Sequence, residues 1–250
     1  IYKLAKEKFN YVFIYDTKDR SLISSIFIKS KYKFAITPNK KFDYFCRLFN
    51  IKFYEANKDI SWNDIYQKSL NHCQINTKIN NYDFLKLKKD NDFSSQISIN
   101  NYIHIHLDEK WLNNLYISTY KNINPSYKDF IDFINIIGVQ NNILISTGVI
   151  DFNLIQNLKG DFFKKKNDKI YYKKLSNTSV YFIYKPTFFD LESILRNSNM
   201  LIACHGAITH AANSFNIKII DIIEKDRKDS YKLFTSYLNK YNFVYRNQFI

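Results

Sequence analysis

Glycine and proline are scarce, at 4 and 3 in 250 residues, so chains built on backbone freedom or on collagen-like repeats are excluded. Cysteine is almost as rare. Cys46, Cys73 and Cys204 stand far apart, odd in number and without a CxxC pair or a histidine at ligand spacing. Neither a disulfide framework nor a zinc site is indicated, and a reducing compartment fits best. Long apolar runs are missing too, because Lys, Asn or Asp breaks each one short of the ~20 residues a membrane helix needs. The chain opens on Ile1 with no signal-peptide pattern after it, and the natural N-terminus is therefore expected to be missing. Acidic residues are also few: 23 Asp and Glu against 37 Lys and Arg leave a formal charge of +14. What is plentiful is apolar and aromatic surface, 46% and 18% of residues, which marks a folding chain with room for one large domain or two of roughly 100–150 residues.

Short β-branched or aromatic runs alternate with helical periodicity along most of the chain. Strands are predicted at residues 11–15, 32–36 and 51–54, and helices at 22–27, 42–49 and 62–70. Residues 71–101 are polar, with one short periodic stretch at 82–87, and read as a connection. The alternation restarts with a strand at 102–106, then a helix at 127–137 with Ser126 as N-cap and Gly138 as its stop. A strand at 142–146 ends in Thr147-Gly148, and a helix at 151–158 and a Lys-rich stretch at 159–174 follow. Strands at 179–183, 200–204 and 217–222 then alternate with helices at 190–196, 207–215 and 230–241. This pattern predicts an α/β protein of two doubly wound parallel halves, divided into residues 1–98 and 99–250.

The segment 201–224 carries the most chemical information. An apolar strand ends at Cys204, a turn holds His205 and Gly206, and a small-residue helix begins. Ligands of open parallel sheets bind beyond the carboxyl ends of the strands, where helix N-termini present unpaired amides. Gly206 allows close approach, and Ala207, Ile208 and Thr209 offer N–H groups toward an anion such as a phosphate or diphosphate. The same residues serve equally as a tight βα turn flanked by packed histidines, His205 and His210. His104 and His106 alternate onto one strand face, where two ligands without a third make a half-polar face a better reading than a metal site. Residues 162–174 mix aromatics with lysines, as single-stranded nucleic-acid platforms do, although a solvated hairpin or loop is the better reading.

The run 190–224, DLESILRNSNMLIACHGAITHAANSFNIKIIDIIE, resembles the carboxyl-terminal nucleotide-sugar-binding segment of glycosyltransferase family 9. That family includes the lipopolysaccharide heptosyltransferases and has the GT-B fold. His205, Gly206 and Ala207 stand where the family has Asp-Thr-Gly, while His210, Ala211 and Ala212 match directly. YIHIHLDEKW at 102–111 is similar to the family's strand, loop and lysine element, which implies that Lys110 contacts donor phosphates. ILISTG at 143–148 is similar to the strand and turn before the donor site, which brings in Thr147 and Gly148. FNYVFIYDTKDRSLISSIFIKSKYKFAI at 9–36 resembles the second half of the acceptor domain.

The resemblance implies a GT-B-like pair of Rossmann-like domains, the acceptor-side domain incomplete. It implies metal-free transfer from a nucleotide-diphosphate sugar, ADP-heptose-like, to a lipopolysaccharide or surface glycan acceptor. The sugar nucleotide is then a substrate, with no cofactor required and no nucleic acid as partner. Phosphate binding would fall to Lys110, His205 and the turn at Gly206. Asp190 and Glu192 would reach ribose hydroxyls, or simply offset the helix dipole. The catalytic base would lie in the acceptor loop ahead of Ile1, so none is assigned here. Such an enzyme is cytoplasmic and sits peripherally at the inner face of the inner membrane, and the basic stretch 164–174 would suit anionic headgroups. Two other classes compete: a different GT-B sugar-nucleotide enzyme, fucosyltransferase-like or an epimerase, and a basic nucleic-acid-binding protein. The net charge discriminates weakly, because its lysines are scattered among Asn, Ile, Tyr and Phe as AT-rich coding produces.

Overall fold

A computed structural model describes residues 2–16, 18–37, 42–55, 60–76, 93–112 and 123–249. The periodic stretch at 82–87 lies outside them. The chain divides into two compact units, Ile1–Asn80 with Asp229–Tyr237, and Asn81–Lys228 with Leu238–Ile250.

In the first unit a short helix, α1 (Tyr2–Lys6), precedes β1 (Lys8–Ile14), α2 (Asp19–Ser25), β2 (Lys29–Thr37), α3 (Asp43–Leu48), β3 (Lys52–Glu55) and α4 (Trp62–His72). The three strands pair in parallel in the order β1-β2-β3. Because successive side chains of β2 point to opposite faces, Ala35 packs with Ile14, Leu22, Cys46 and Ile51 on one side. Phe34 and Ile36 pack with Ile65 of α4 on the other. Ser61 caps α4, accepting from the Asp64 amide at 3.2 Å. Trp62 stacks on Phe234, centroids 5.6 Å apart, so the 229–237 segment adds its aromatic face to this unit.

The second unit is built from β4 (Tyr102–Leu107), α5 (Tyr127–Gly138), β5 (Ile143–Thr147), α6 (Asn153–Asn157), β6 (Lys164–Lys165), β7 (Ile170–Lys174), β8 (Ser179–Ile183), α7 (Phe188–Arg196), β9 (Ser198–Cys204), α8 (Ala207–Ser214), β10 (Lys218–Ile223) and β11 (Tyr241–Tyr245). α9 (Lys228–Thr235) precedes β11. The sheet runs β11-β10-β9-β4-β5-β8-β7-β6. Ile105, Leu107, Phe130, Ile143, Phe182 and Ile202 form the core on one face. Leu195, Leu201, Ala203 and Ala212 pack under α7 and α8 on the other. Trp111 is fully buried, its indole N–H donating to the His106 carbonyl at 2.8 Å. A buried ring of this size contributes on the order of 2–3 kcal/mol, and the hydrogen bond spares its polar edge a desolvation penalty.

Three expectations change. The second sheet is not purely parallel: the Lys-rich stretch folds as antiparallel β6 and β7, with β7 antiparallel to β8. The last predicted helix ends at Thr235, and residues 241–245 form β11, parallel to β10. Tyr-Asn-Phe-Val-Tyr is a strong strand sequence, and a free edge on β10 supplies the partner that turns propensity into structure. Gly138 is the last residue of α5 and not a left-handed stop, since no described glycine has positive φ. A Cβ there would stand 2.7 Å from Leu175 Cδ1, so the glycine serves close packing. All three cysteines are buried thiols.

Candidate functional site

The carboxyl ends of β4 and β9 deliver two turns to one place in the second unit. After β4, Asp108 caps the 3-10 turn Glu109–Trp111, its Oδ1 accepting from the Lys110 amide at 3.1 Å. Its Oδ2 holds the Lys110 ammonium at 3.0 Å. After β9, Gly206 opens α8, and the Thr209 amide bonds back to the Gly206 carbonyl at 3.0 Å. The first-turn amides of Ala207 and Ile208 have no intrahelical acceptor, as at any helix start. A Cβ on Gly206 would lie 2.6 Å from Lys110 Nζ, so the glycine makes room for the ammonium.

These turns line a pocket of about 170 Å³. Its polar wall is His106, Asp108, Lys110 and Glu192; its apolar wall includes Phe188, Leu191, Leu195 and Ala211. Burial pushes the Asp108 carboxyl up, while the Lys110 charge pulls it back down. Burial first, then the Lys110 charge, lowers His106 to about 4, so it is a neutral imidazole. Glu192 is buried at 3% exposure, a carboxylate facing the same space. One cation and two carboxylates, with helix amides at the floor, give a site suited to a polar ligand that carries both anionic and hydroxyl groups.

Of the residues singled out in the sequence, His106, Lys110, Glu192, Gly206, Ala207, Ile208 and Ala211 line this pocket. Gly148 lies beneath it: its amide donates to the Leu107 carbonyl at 3.0 Å, and a Cβ would stand 3.0 Å from Asp108 Cβ. Thr147 instead accepts from the Lys185 amide at 2.8 Å. His205 turns to β10, Nδ1 lying 2.5 Å from the Asp221 carboxylate. Thr209 donates to that carboxylate at 3.0 Å and Tyr241 at 3.1 Å, so Asp221, fully buried, is anchored from three elements. His210 meets His205 edge-on at 5.4 Å, and burial, followed by the neighbouring His205, lowers it to about 4.

The two acids of α7 part company. Asp190 completes a capping box, accepting from the Thr187 amide at 2.8 Å, whereas Glu192 is buried and lines the pocket. His104 and His106 share one serine: Ser146 Oγ is 2.7 Å from His104 Nε2 and 2.8 Å from His106 Nδ1. Arg246, beyond β11 and 2% exposed, donates to the Lys110 carbonyl, and its other groups reach Cys204 Sγ at 3.4 Å and Glu224 at 3.5 Å. The sequence signals no role for Arg246, because nothing local tells a terminal arginine after a strand from a solvated one.

No protein-family model matches the chain, and no curated protein does. Solved structures do. Glycosyltransferase family 9 from Veillonella parvula superposes with a TM-score of 0.63 over 94% of this chain, at 13% identity. E. coli heptosyltransferase WaaC with ADP superposes at 0.59 over 97%, at 9% identity. The same enzyme with ADP-2-deoxy-2-fluoro heptose gives 0.53 over 89%, at 10% identity. The chain has the GT-B fold. It spans 62%, 68% and 64% of the lengths of these three chains. Within the GT-B architecture the pocket stands at the carboxyl ends of parallel strands, where α/β sheets hold their ligands. No helix among the described residues is long and apolar enough to cross a membrane.

Proposed function

We propose that this protein is a glycosyltransferase that takes a sugar from a nucleotide-diphosphate donor, ADP-heptose-like, and passes it to a lipopolysaccharide or surface glycan acceptor. The observation that carries the reading is the Lys110 ammonium, tethered by Asp108 and seated against the glycine that opens α8. The GT-B fold and the ADP ligands of two similar structures support it.

In this reading residues 99–250 bind the donor and residues 1–98 belong to the acceptor side. The diphosphate lies over Gly206, where the amides of Ala207 and Ile208 and the helix dipole meet its charge. Lys110 neutralises the negative charge that builds on the leaving diphosphate as the bond to the anomeric carbon breaks. Glu192 accepts hydrogen bonds from sugar hydroxyls. Thr147, His205 and His210 act from behind, His205 by reaching a phosphate oxygen if its bond to Asp221 is exchanged. The chemistry assigned to Lys110 and the amides asks for no metal or cofactor. The acceptor hydroxyl loses its proton to a general base, a role to which no residue is assigned. The protein works in the cytoplasm, at the inner face of the membrane that carries its acceptor, and nucleic acid is not its partner.

ADP at millimolar concentration should raise the Tm, and Lys110→Ala or Gly206→Val should abolish that rise. UDP serves as the comparison for base preference. No shift with any nucleoside diphosphate sinks the reading. With a labelled sugar nucleotide, label in a glycan product supports transfer, and label in an epimerised free sugar nucleotide contradicts it.

A further inference from the structure

The donor-site reading leaves unused a buried chain of three polar side chains that ends at the pocket. β4 and β5 pair in parallel with His106 opposite Ser146. Ser146 Oγ touches both His104 Nε2, at 2.7 Å, and His106 Nδ1, at 2.8 Å. His104 and Ser146 are fully buried, and His104 Nδ1 has no hydrogen-bond partner among the described residues. His106 lines the pocket.

Proton counting restricts this chain. Burial keeps both rings neutral at physiological pH, so each carries one proton. A serine hydroxyl has a single proton and gives it to one histidine only. If both rings donate to Oγ, the hydroxyl proton is stranded in a dry interior. If Ser146 donates to His104, that ring must carry its own proton on Nδ1, where nothing accepts it. If Ser146 donates to His106 Nδ1, His104 carries its proton on Nε2 and gives it to Oγ. Only a lone pair is then left on His104 Nδ1. Orphaned buried N–H groups are the rarer and more costly defect, so the last arrangement prevails. The proton of His106 then sits on Nε2, the ring nitrogen away from Ser146.

We propose that His106 is a ligand-binding residue that presents a neutral Nε2–H to an oxygen of the anion held in the pocket, and that Ser146 and His104 are positioning residues that lock this tautomer. The proposal rests on the nucleotide-diphosphate reading of the pocket. A neutral donor beside Lys110 adds direction to the site without adding a second cation. It selects an unprotonated oxygen, such as a phosphoryl oxygen, and offers nothing to a cationic group.

The tautomer can be read directly by long-range 1H–15N correlation on histidine-labelled protein at neutral pH, with each ring assigned from single His→Gln variants. His104 and His106 are both expected as Nε2–H, and titration with ADP is expected to move the His106 Nε2 signal. Ser146→Ala should leave the proton on Nε2, since Nδ1–H would then be stranded in a dry interior, but should free the ring to turn out of line and weaken ADP binding about tenfold, the loss of one well-aligned hydrogen bond to an anion. His106→Asn should lose as much, and His106→Gln, whose amide nitrogen stands where Nε2 does, should lose less. His106 found as Nδ1–H, or Ser146→Ala with ADP affinity unchanged, overturns the proposal. Nε2–H with no ADP binding by the unsubstituted protein supports the tautomer assignment and overturns the nucleotide reading instead.

Discussion

Two residues at the Lys110 turn separate recognition from stability. Gly206 is extended, with φ −178°, a conformation open to any residue, so space and not backbone strain demands the glycine. Gly206→Ala therefore pushes only the end of a flexible side chain, displacing the Lys110 ammonium from a point 2.6 Å away. The expected outcome is nearly unchanged unfolding free energy with ADP affinity down about tenfold, since a charge-assisted contact is lost. Calorimetric titration alongside urea unfolding checks this, and equal losses in both would contradict it. Arg246 is the converse case. Its guanidinium is buried against Glu224, which is 5% exposed, so Arg246→Met leaves a carboxylate in the interior without its cation. Breaking such a pair costs about 3–5 kcal/mol, and Arg246→Met with Glu224→Leu should recover much of it. Urea midpoints of the three variants test this; a single variant within about 1 kcal/mol of the parent rules out the pair as a support of the Lys110 turn.

At the scale of elements, α7 shows how a local signal can set up a distant one. Thr187 and Asp190 form a reciprocal cap that fixes the first turn, and that turn aims Glu192 at the pocket. Thr187→Ala should cost about 1 kcal/mol by thermal or urea unfolding. It should also weaken ligand binding through Glu192, which a merely surface threonine would not do. The basic hairpin makes a different point. Lys164 and Lys165 are exposed on β6, the outermost strand, where lysines discourage pairing with another chain. Lys165 pairs with Asp168 at 2.8 Å, and Lys159 lies over the Tyr184 ring at 3.7 Å. Lys164, Lys165 and Lys159 thus have roles in edge protection and ring contact that ask for no nucleic acid.

For the whole molecule the buried histidines set a pH limit. Burial depresses His104, His106 and His210 in the folded state, the last two to about 4, while the unfolded chain protonates histidine near the ordinary 6.5. The unfolded state therefore binds more protons between those values, and stability is full above about pH 6.5 and falls as pH drops toward 4. Each proton contributes a slope of about 1.4 kcal/mol per pH unit, and His72, lowered by burial and then by the Lys52 charge, adds in the same sense. Asp108, whose carboxyl burial pushes up, acts in the opposite sense and relieves part of the loss at the acid end. Unfolding free energies measured from pH 7.5 to 4.5 should decline with a net uptake of protons on unfolding; a flat profile would show that these rings are protonated in the folded protein.

The alternation of strands and helices, the Ser126 cap and the buried apolar strand that ends at Cys204 were legible in the sequence, because each depends on periodicity or on neighbours within a few residues. The lysine turn and the glycine turn were legible as separate motifs. Their meeting was not, since Lys110 and Gly206 come together only through the parallel pairing of β4 with β9. The same limit hid β11, whose strand character was completed by β10, and Arg246, whose partners Lys110, Cys204 and Glu224 lie at a distance along the chain. It also hid the direction of His205, which the buried Asp221 of β10 decides. Local chemistry settles what a segment of this chain forms. Which polar groups it leaves in the interior, and therefore which partners they must find, is settled only when the sheet closes around them and removes water.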